Sequence, residues 1–335
     1  MSNARVVGVT GASAGLGRAI VRAFAHAEYD VGLLARGPER LDAARAEVEQ
    51  AGRRAVALST DVADADAVER AVDRIEHDLG PIDVWVNNAM VSVFSPVKQM
   101  EAAEYRRVTE VTYLGYVYAT LAVLKRMLPR DRGVIVHVGS ALAHRSIPLQ
   151  SAYCASKHAI WGFHESLISE LRHDGSAVRS TMVQMPAMNT PQFDWVRSRL
   201  QGRAQPVPPI FEPEVGARAV RYAAEHDVGR ELLVAWPTVK AVFGEKVVPR
   251  YIDRLLARDG YDDQQAEEPE DPDRPDNLFA PVPGPFAARG RFAGRSHDAS
   301  AELSLRLRRE WLLLAGAGLA GVALGALTSG AREAS

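Results

Sequence analysis

Up to about residue 260, short runs rich in Val, Ile and Leu alternate with longer Ala-rich stretches whose apolar residues recur at helical spacing. The short runs predict strands at Arg5–Thr10, Val31–Ala35, Ala55–Ser59, Val84–Asn87, Val134–Val138, Arg179–Gln184 and Glu231–Ala235. The longer stretches predict helices over 16–27, 39–51, 65–79, 101–128, 152–173 and 213–226. Parallel neighbours need long crossover connections, and a helix between every two strands supplies them. The pattern therefore predicts an α/β fold, a doubly wound parallel sheet in three layers with helices on both faces.

Past the last strand the pattern changes twice. One or two more helices are expected between Thr238 and Arg258, broken at Pro249. Residues 262–276 then hold eight acids against the single base Arg274, with Pro interspersed, and Gly and Pro continue to about residue 300. Such a stretch reads as an extended linker over 261–305, with Phe279, Phe286 and Phe292 as points where it could dock back. Residues 306–335 begin with Arg306, Arg308 and Arg309 and continue into 21 uncharged residues, Trp311–Ala331. At ~1.5 Å per residue this is about 31 Å of helix, the thickness of a bilayer's hydrocarbon core. A membrane anchor is the favoured reading, with the catalytic domain tethered on the cytoplasmic side by the flanking Arg residues. Its many Gly and Ala also suit a helix docked on protein.

Composition narrows the function classes. A chain of 335 residues with 47% hydrophobic residues and a net charge of −2 has room for one large α/β domain, residues 1–260, plus an appendage. Its charge points to no nucleic-acid partner. Cys154 is the single cysteine, so an intrachain disulfide is impossible and a reducing, cytoplasmic setting is expected. The nine His show no metal-ligand spacing, and no metal is expected. The first residues lack the long apolar run of a secretory signal and lead directly into a strand.

The first predicted strand ends in Thr10-Gly11-Ala12-Ser13-Ala14-Gly15-Leu16-Gly17, immediately before the first predicted helix. Glycines there let the backbone turn tightly and approach a ligand, and the helix N-terminus offers free N–H groups to a pyrophosphate. Gly11, Ser13, Gly15, Leu16 and Gly17 are therefore candidate dinucleotide contacts. Arg36 follows the second strand where an acid often binds the ribose hydroxyls of NAD; a guanidinium suits the 2′-phosphate of NADP, with Arg40 one turn on.

Tyr153 is followed by Lys157 four residues later and preceded by Ser140. On a helix, an i, i+4 pair stacks phenol and ammonium on one face. A cation held there is expected to lower the phenol pKa, and Ser140 on a separate segment could polarise a substrate oxygen.

Thr10–Gly17, Asn87-Asn88-Ala89, Ser140, Tyr153 and Lys157, in this order, resemble the short-chain dehydrogenase/reductase family over residues 4–260. The resemblance implies a Rossmann-type domain and several further contacts. Asp61 and Val62 would meet the adenine, Asn88 and Ala89 would line the cofactor cleft, and Pro186 and Thr190 would border the nicotinamide. It implies that Tyr153 exchanges a proton with the substrate while a hydride moves to or from the nicotinamide. Lys157 would hold the ribose and lower the phenol pKa, and Ser140 would orient the substrate. Three positions depart from the family pattern. Met90 and Ala187 replace usual glycines, and Thr112 stands where the family's helix asparagine holds a relay water. Thr can hydrogen-bond but has a shorter reach and no amide.

The expected activity is thus NADP-dependent interconversion of an alcohol and a carbonyl, with a small and largely apolar substrate suggested by Phe193, Trp195, Leu200, Ile210 and Phe211. A cofactor-binding scaffold or sensor with weak catalysis and an epimerase using the nicotinamide transiently are the rivals. The resemblance also implies a homo-oligomer through the helices near 101–128 and 152–173.

Overall fold

The computed structural model describes residues 4–307. Seven strands form its central sheet: β1 (Val6–Thr10), β2 (Asp30–Ala35), β3 (Ala55–Ser59), β4 (Ile82–Asn87), β5 (Val134–Ser140), β6 (Arg179–Met185) and β7 (Glu231–Leu233). They lie in the order β3-β2-β1-β4-β5-β6-β7, all parallel, as expected for the doubly wound Rossmann arrangement. Strand order reverses between β1 and β4, so the loops leaving these two strands diverge and open a crevice at their carboxyl ends.

Helices α1 (Gly15–Ala25), α2 (Pro38–Gln50), α3 (Ala65–Leu79), α4 (Ala102–Thr109), α5 (Gly115–Met127), α6 (Ser151–His173) and α7 (Pro213–Glu225) supply the crossovers. One face of the sheet is covered by α1, α2 and α7, whose Ile20, Phe24, Val215 and Val220 are fully buried against Val7, Val9 and Val183. On the other face Val68, Ile75, Val108 and Val123 from α3, α4 and α5 pack on Val6, Trp85 and Ile135. Each strand of β1 and β2 is buried on both faces, which is why these segments read as unbroken apolar runs rather than alternating ones.

The helix expected over 101–128 is interrupted. A single π turn, Glu110–Leu114, joins α4 to α5. Its centre is Thr112, whose hydroxyl donates to Val91 O (2.9 Å) and accepts from Val91 N–H (3.1 Å), tying the widened turn to the loop after β4. After β7 the chain enters α8 (Ala235–Val247) and α9 (Pro249–Asp259), with Pro249 at the break as expected.

The stretch read as an extended linker is docked. Gln265–Pro269 pairs antiparallel with Gly202–Ala204, and Ser296–His297 pairs parallel with Ile210–Phe211. Leu278, Ala288 and Phe292 are buried, Phe286 meets Trp195 edge-on, and only Phe279 stays largely exposed. Three of the acids that suggested a solvated chain pair with arginines: Asp276 with Arg197, Glu268 with Arg203 and Glu270 with Arg274, while Asp262, Asp263, Glu267, Asp271 and Asp273 stay exposed. Composition alone hides the docking, because the partners of Asp276 and Glu268 lie 79 and 65 residues upstream. Helix α10 (Ala301–Leu307) ends the described region. Among the described residues no helix is long and apolar enough to cross a membrane. The anchor expected at Trp311–Ala331 lies outside them.

Candidate active site

The crevice is built from the loop between β1 and α1. Thr10, the last residue of β1, accepts on Oγ1 from the N–H groups of Asn88 (2.9 Å) and Ala89 (3.1 Å), while Asn88 Nδ2 donates to Thr10 O (2.9 Å). These bonds clamp the ends of β1 and β4 together at the reversal point. Gly11 sits at φ +67°, where a side chain is strained. Gly17, in the first turn of α1, is packed so tightly that a Cβ would stand 2.1 Å from Gly11 O. The helix N-cap is Ala14, which offers no side-chain cap, so the free amide groups of the first turn suit an anionic ligand. One of them is engaged from within the protein: Gly15 N–H donates to Ala287 O (2.9 Å).

Arg36 follows β2 and lines the same cleft, as do Ser13, Leu16, Asp61, Val62, Asn88, Ala89, Pro186 and Thr190. Asp61 is ion-paired with Arg107 (2.5 Å). Burial lowers the Arg36 pKa, although its guanidinium is held by the main-chain oxygens of Asn277 (2.5 Å) and Leu278 (3.3 Å). A glycine-lined turn, an uncapped helix N-terminus and two arginines at the end of β2 fit a phosphorylated dinucleotide.

Ser140 ends β5, and Tyr153 and Lys157 lie one turn apart on α6; all three line the cleft that contains the glycine loop. Ser140 N–H donates to Gln184 Oε1 (2.8 Å), and Ser140 Oγ accepts from Leu142 N–H (3.1 Å), which leaves the hydroxyl proton free to donate outward. Lys157 is fully buried. Its Nζ lies 5.5 Å from the centre of the Tyr153 ring and donates to Val138 O (2.7 Å) and to Tyr116 Oη (3.2 Å).

Burial raises the Tyr153 pKa well above the ordinary phenol value, with the Ser140 hydroxyl working in the other direction. Burial also pulls Lys157 down to about 7. The expected lowering of the phenol by the lysine is therefore outweighed by desolvation of both groups. At neutral pH the phenol keeps its proton and the lysine is poised between its two states.

Thr112 stands apart from this group. Its hydroxyl donates to and accepts from Val91, and its neighbour Val111 lines the cleft. The partner that Lys157 finds on this helix is Tyr116, four residues on, a fully buried phenol that donates to Val138 O (3.1 Å). Sequence reasoning missed Tyr116, because the π turn Glu110–Leu114 changes which residues of this helix face Lys157. It also missed Gln184, a fully buried amide in the buried strand β6. Gln184 Nε2 lies 3.1 Å from Glu231 Oε2 and 3.1 Å from His144 Nε2, so its carbonyl is turned toward Ser140. A polar residue inside a buried strand was the available signal.

Beyond Tyr153 the cleft, about 420 Å³ in all, is walled by Leu142, Ile147, Met188, Phe193, Val207 and Leu256. That volume lies in the range of small-molecule sites. Of the five apolar residues expected to cover it, Phe193 and Trp195 line the cleft; Ile210 packs in the adjoining cluster behind Phe193. Among the described residues there is no cluster of His, Cys, Asp and Glu able to hold a metal ion.

Residues 5–200 match the family model for short chain dehydrogenase. The chain is 30% identical over 277 residues to an uncharacterized oxidoreductase of Bacillus subtilis, an alignment that covers 82% of this chain and 78% of the relative. An alcohol dehydrogenase from the archaeon Thermococcus sibiricus, solved in complex with 5-hydroxy-NADP, superposes with a TM-score of 0.60 at 27% identity, over 68% of this chain and 95% of that one. A metagenomic short-chain oxidoreductase in complex with NADP gives a TM-score of 0.58 at 29% identity, over 69% and 96% of the two chains.

Proposed function

The chain belongs to the short chain dehydrogenase family, and from that premise we propose that it is an NADP-dependent oxidoreductase that reduces a small, largely apolar carbonyl compound to its alcohol, or the reverse. One observation carries the reading: Ser140, Tyr153 and Lys157 line the same cleft as the glycine loop and Arg36. A scaffold would need the second half of that cleft but not the first.

The glycine loop and Arg36 would hold NADPH along the crevice, and the nicotinamide would supply the hydride when bound. The remaining work falls to the chain's own side chains. Tyr153, kept protonated by burial, hands its proton to the carbonyl oxygen. Ser140, its acceptor side taken by Leu142 N–H, donates to the same oxygen. Lys157, in its charged form, stabilises the phenolate as the proton leaves. The carbonyl gains one hydride and one proton and becomes the alcohol; in the oxidative direction both return by the same groups.

Tyr116 acts through Lys157 as a positioning residue. Tyr116→Phe removes one of the two acceptors that hold the buried ammonium, so the charged form is less favoured and the inflection in kcat/KM assigned to Lys157 should move to lower pH, with about a tenfold loss of rate at neutral pH. A pH profile identical to that of the unmodified protein would remove Tyr116 from the mechanism.

Arg36 is proposed as the contact for the 2′-phosphate, a reading supported by its place at the end of β2 and by the two similar structures solved with NADP compounds. Arg36→Ala should weaken NADPH by about tenfold or more while changing NADH much less, since a charge-assisted hydrogen bond to phosphate is worth ~1.5–3 kcal/mol. Titration of intrinsic fluorescence with each dinucleotide measures both constants. Equal losses for the two would mean that Arg36 serves only to hold the segment at Asn277 and Leu278.

The function is tested by mixing purified protein with NADPH and a panel of apolar ketones and aldehydes and following oxidation of the nicotinamide. Saturable turnover supports the reductase. Tight binding with no turnover on any member of the panel would favour the scaffold instead.

A further inference from the structure

The segment Asn277–Phe292, outside the residues matched by the family model, crosses the crevice at the end where the adenosine half of a dinucleotide would lie. Its backbone is fastened across the site. At one end, Asn277 O and Leu278 O accept from Arg36, and Leu278 O also accepts from Arg107 (3.1 Å), the partner of Asp61. In the middle, Val282 O accepts from Arg40, Phe286 O from Arg18 (3.3 Å) and Ala287 O from Gly15 N–H (2.9 Å). At the far end, Gly290 N–H donates to Asn189 O (3.2 Å) and Phe292 N–H to Asn189 Oδ1 (3.0 Å). Apart from Arg107 on α4, the residues it grips border the glycine loop, the end of β2 or the loop after β6. Leu278 and Ala288 are buried in the two cores of the domain, which adds an apolar hold at each end of the crossing.

The segment does not fill the cleft. Asn277 and Pro281 line it, together with Gly11, Arg36, Asp61 and Val62. The Asn277 side-chain oxygen is buried and has no hydrogen-bond partner among the described residues. An unsatisfied buried carbonyl is costly, by ~1–3 kcal/mol, and in a native protein it calls for a donor. Asn277 lines the cleft, so a molecule bound there could supply the donor that the protein does not.

We propose that Asn277–Phe292 is the outer wall of the adenosine subsite, and that the Asn277 side-chain oxygen accepts a hydrogen bond from the adenosine half of the cofactor. The donor class is an exocyclic amine or a ribose hydroxyl, both of which that half presents. The wall stands across the glycine loop and the end of β2, so a bound dinucleotide leaves only when the wall loosens. This inference rests on the reading of NADP as cofactor.

The experiment compares the unmodified full chain with Asn277→Ala. Dissociation constants are measured by calorimetry for NADPH, deamino-NADPH and 2′,5′-ADP, and by ligand-observed NMR for reduced nicotinamide mononucleotide, which has no adenosine. The expected result is about a tenfold loss for NADPH and 2′,5′-ADP with no change for the mononucleotide, the size of one lost hydrogen bond. A loss for NADPH that vanishes for deamino-NADPH identifies the amine as donor; an equal loss for both identifies a ribose hydroxyl. Unchanged affinity for the adenosine ligands, or the same loss for all four, overturns the proposal. Failure of the unmodified chain to bind any of them would instead sink the NADP reading itself.

A second variant tests the wall without touching Asn277. In Gly290→Ala the new Cβ would stand 2.5 Å from Thr190 O, which prises the far end of the segment off the loop after β6. Release of NADPH, followed by stopped-flow displacement, should quicken by about tenfold. A release rate equal to that of the unmodified chain would mean that the segment does not close over the cofactor.

Discussion

Replacing Tyr153 by Phe is expected to lower kcat for carbonyl reduction by about 10²- to 10⁴-fold while leaving NADPH affinity within about twofold. That range corresponds to ~2.7–5.4 kcal/mol of transition-state stabilisation. The substitution removes one oxygen from a half-buried ring whose packing is otherwise kept, so lost stability does not explain a large effect. In the unmodified protein the phenol holds its proton far above neutrality, which suits it to act as an acid across the whole working range.

The pH dependence should instead report Lys157, whose pKa burial lowers to about 7. Below that pH the amine is charged and can stabilise the phenolate that forms; above it the charge is lost. kcat/KM for reduction should therefore fall as pH rises through about 7, and the profile reports the free enzyme. Lys157→Met should be slow at every pH and lack that inflection. Full turnover by Tyr153→Phe would require a different proton donor and would remove the assignment.

Gly17→Ala is expected to abolish measurable dinucleotide binding and to destabilise the fold by ~1–3 kcal/mol, the usual cost of forcing an extra carbon into a closed site. The new Cβ would stand 2.1 Å from Gly11 O and 2.5 Å from Asn88 Nδ2. Neither neighbour can yield cheaply: Gly11 O belongs to the backbone of the turn, and Asn88 Nδ2 is bonded to Thr10 O and Gly11 O. The displacement therefore reaches the clamp between β1 and β4 on which the crevice depends.

Gly162→Ala is the control. It lies within α6 with open space where its Cβ would be, so the same chemical change should stabilise by up to ~1 kcal/mol through helix propensity. Thermal melts of both variants, with NADPH titrations, check the pair. Normal cofactor binding by Gly17→Ala would show that the close approach at this turn is not what shapes the site.

Much of the scaffold was readable from the hydrophobic pattern. A strand such as Val31–Ala35 lies in a sheet covered on both faces, so its apolar run has only one stable environment, and the Gly-rich turn after β1 marks a place where the backbone comes close to its neighbours. Ser140, Tyr153 and Lys157 could be named for a related reason: their chemistry depends on residue type and local spacing. The docked stretch 261–305 could not, because Asp276, Glu268 and several of its main-chain oxygens meet arginines far upstream, at Arg197, Arg203, Arg36 and Arg40. Composition records that a segment is acidic and rich in Pro and Gly; it does not record what the segment lies against.

The site divides along the same line. Periodicity determined the doubly wound sheet and its crevice, and motif order nominated the three candidate side chains Ser140, Tyr153 and Lys157, since each follows from interactions within one element or between neighbouring ones. Only the tertiary structure decided how those side chains are tuned. Burial from several elements at once raises Tyr153 and lowers Lys157, reversing the expectation drawn from an isolated Tyr–Lys pair. The same folding turns Thr112 to Val91, gives Lys157 Tyr116 as its partner, sets Gln184 behind Ser140 and lays Asn277 along the cleft. Desolvation and long-range hydrogen bonds depend on which parts of the chain meet in space, and no local spacing in the sequence encodes that.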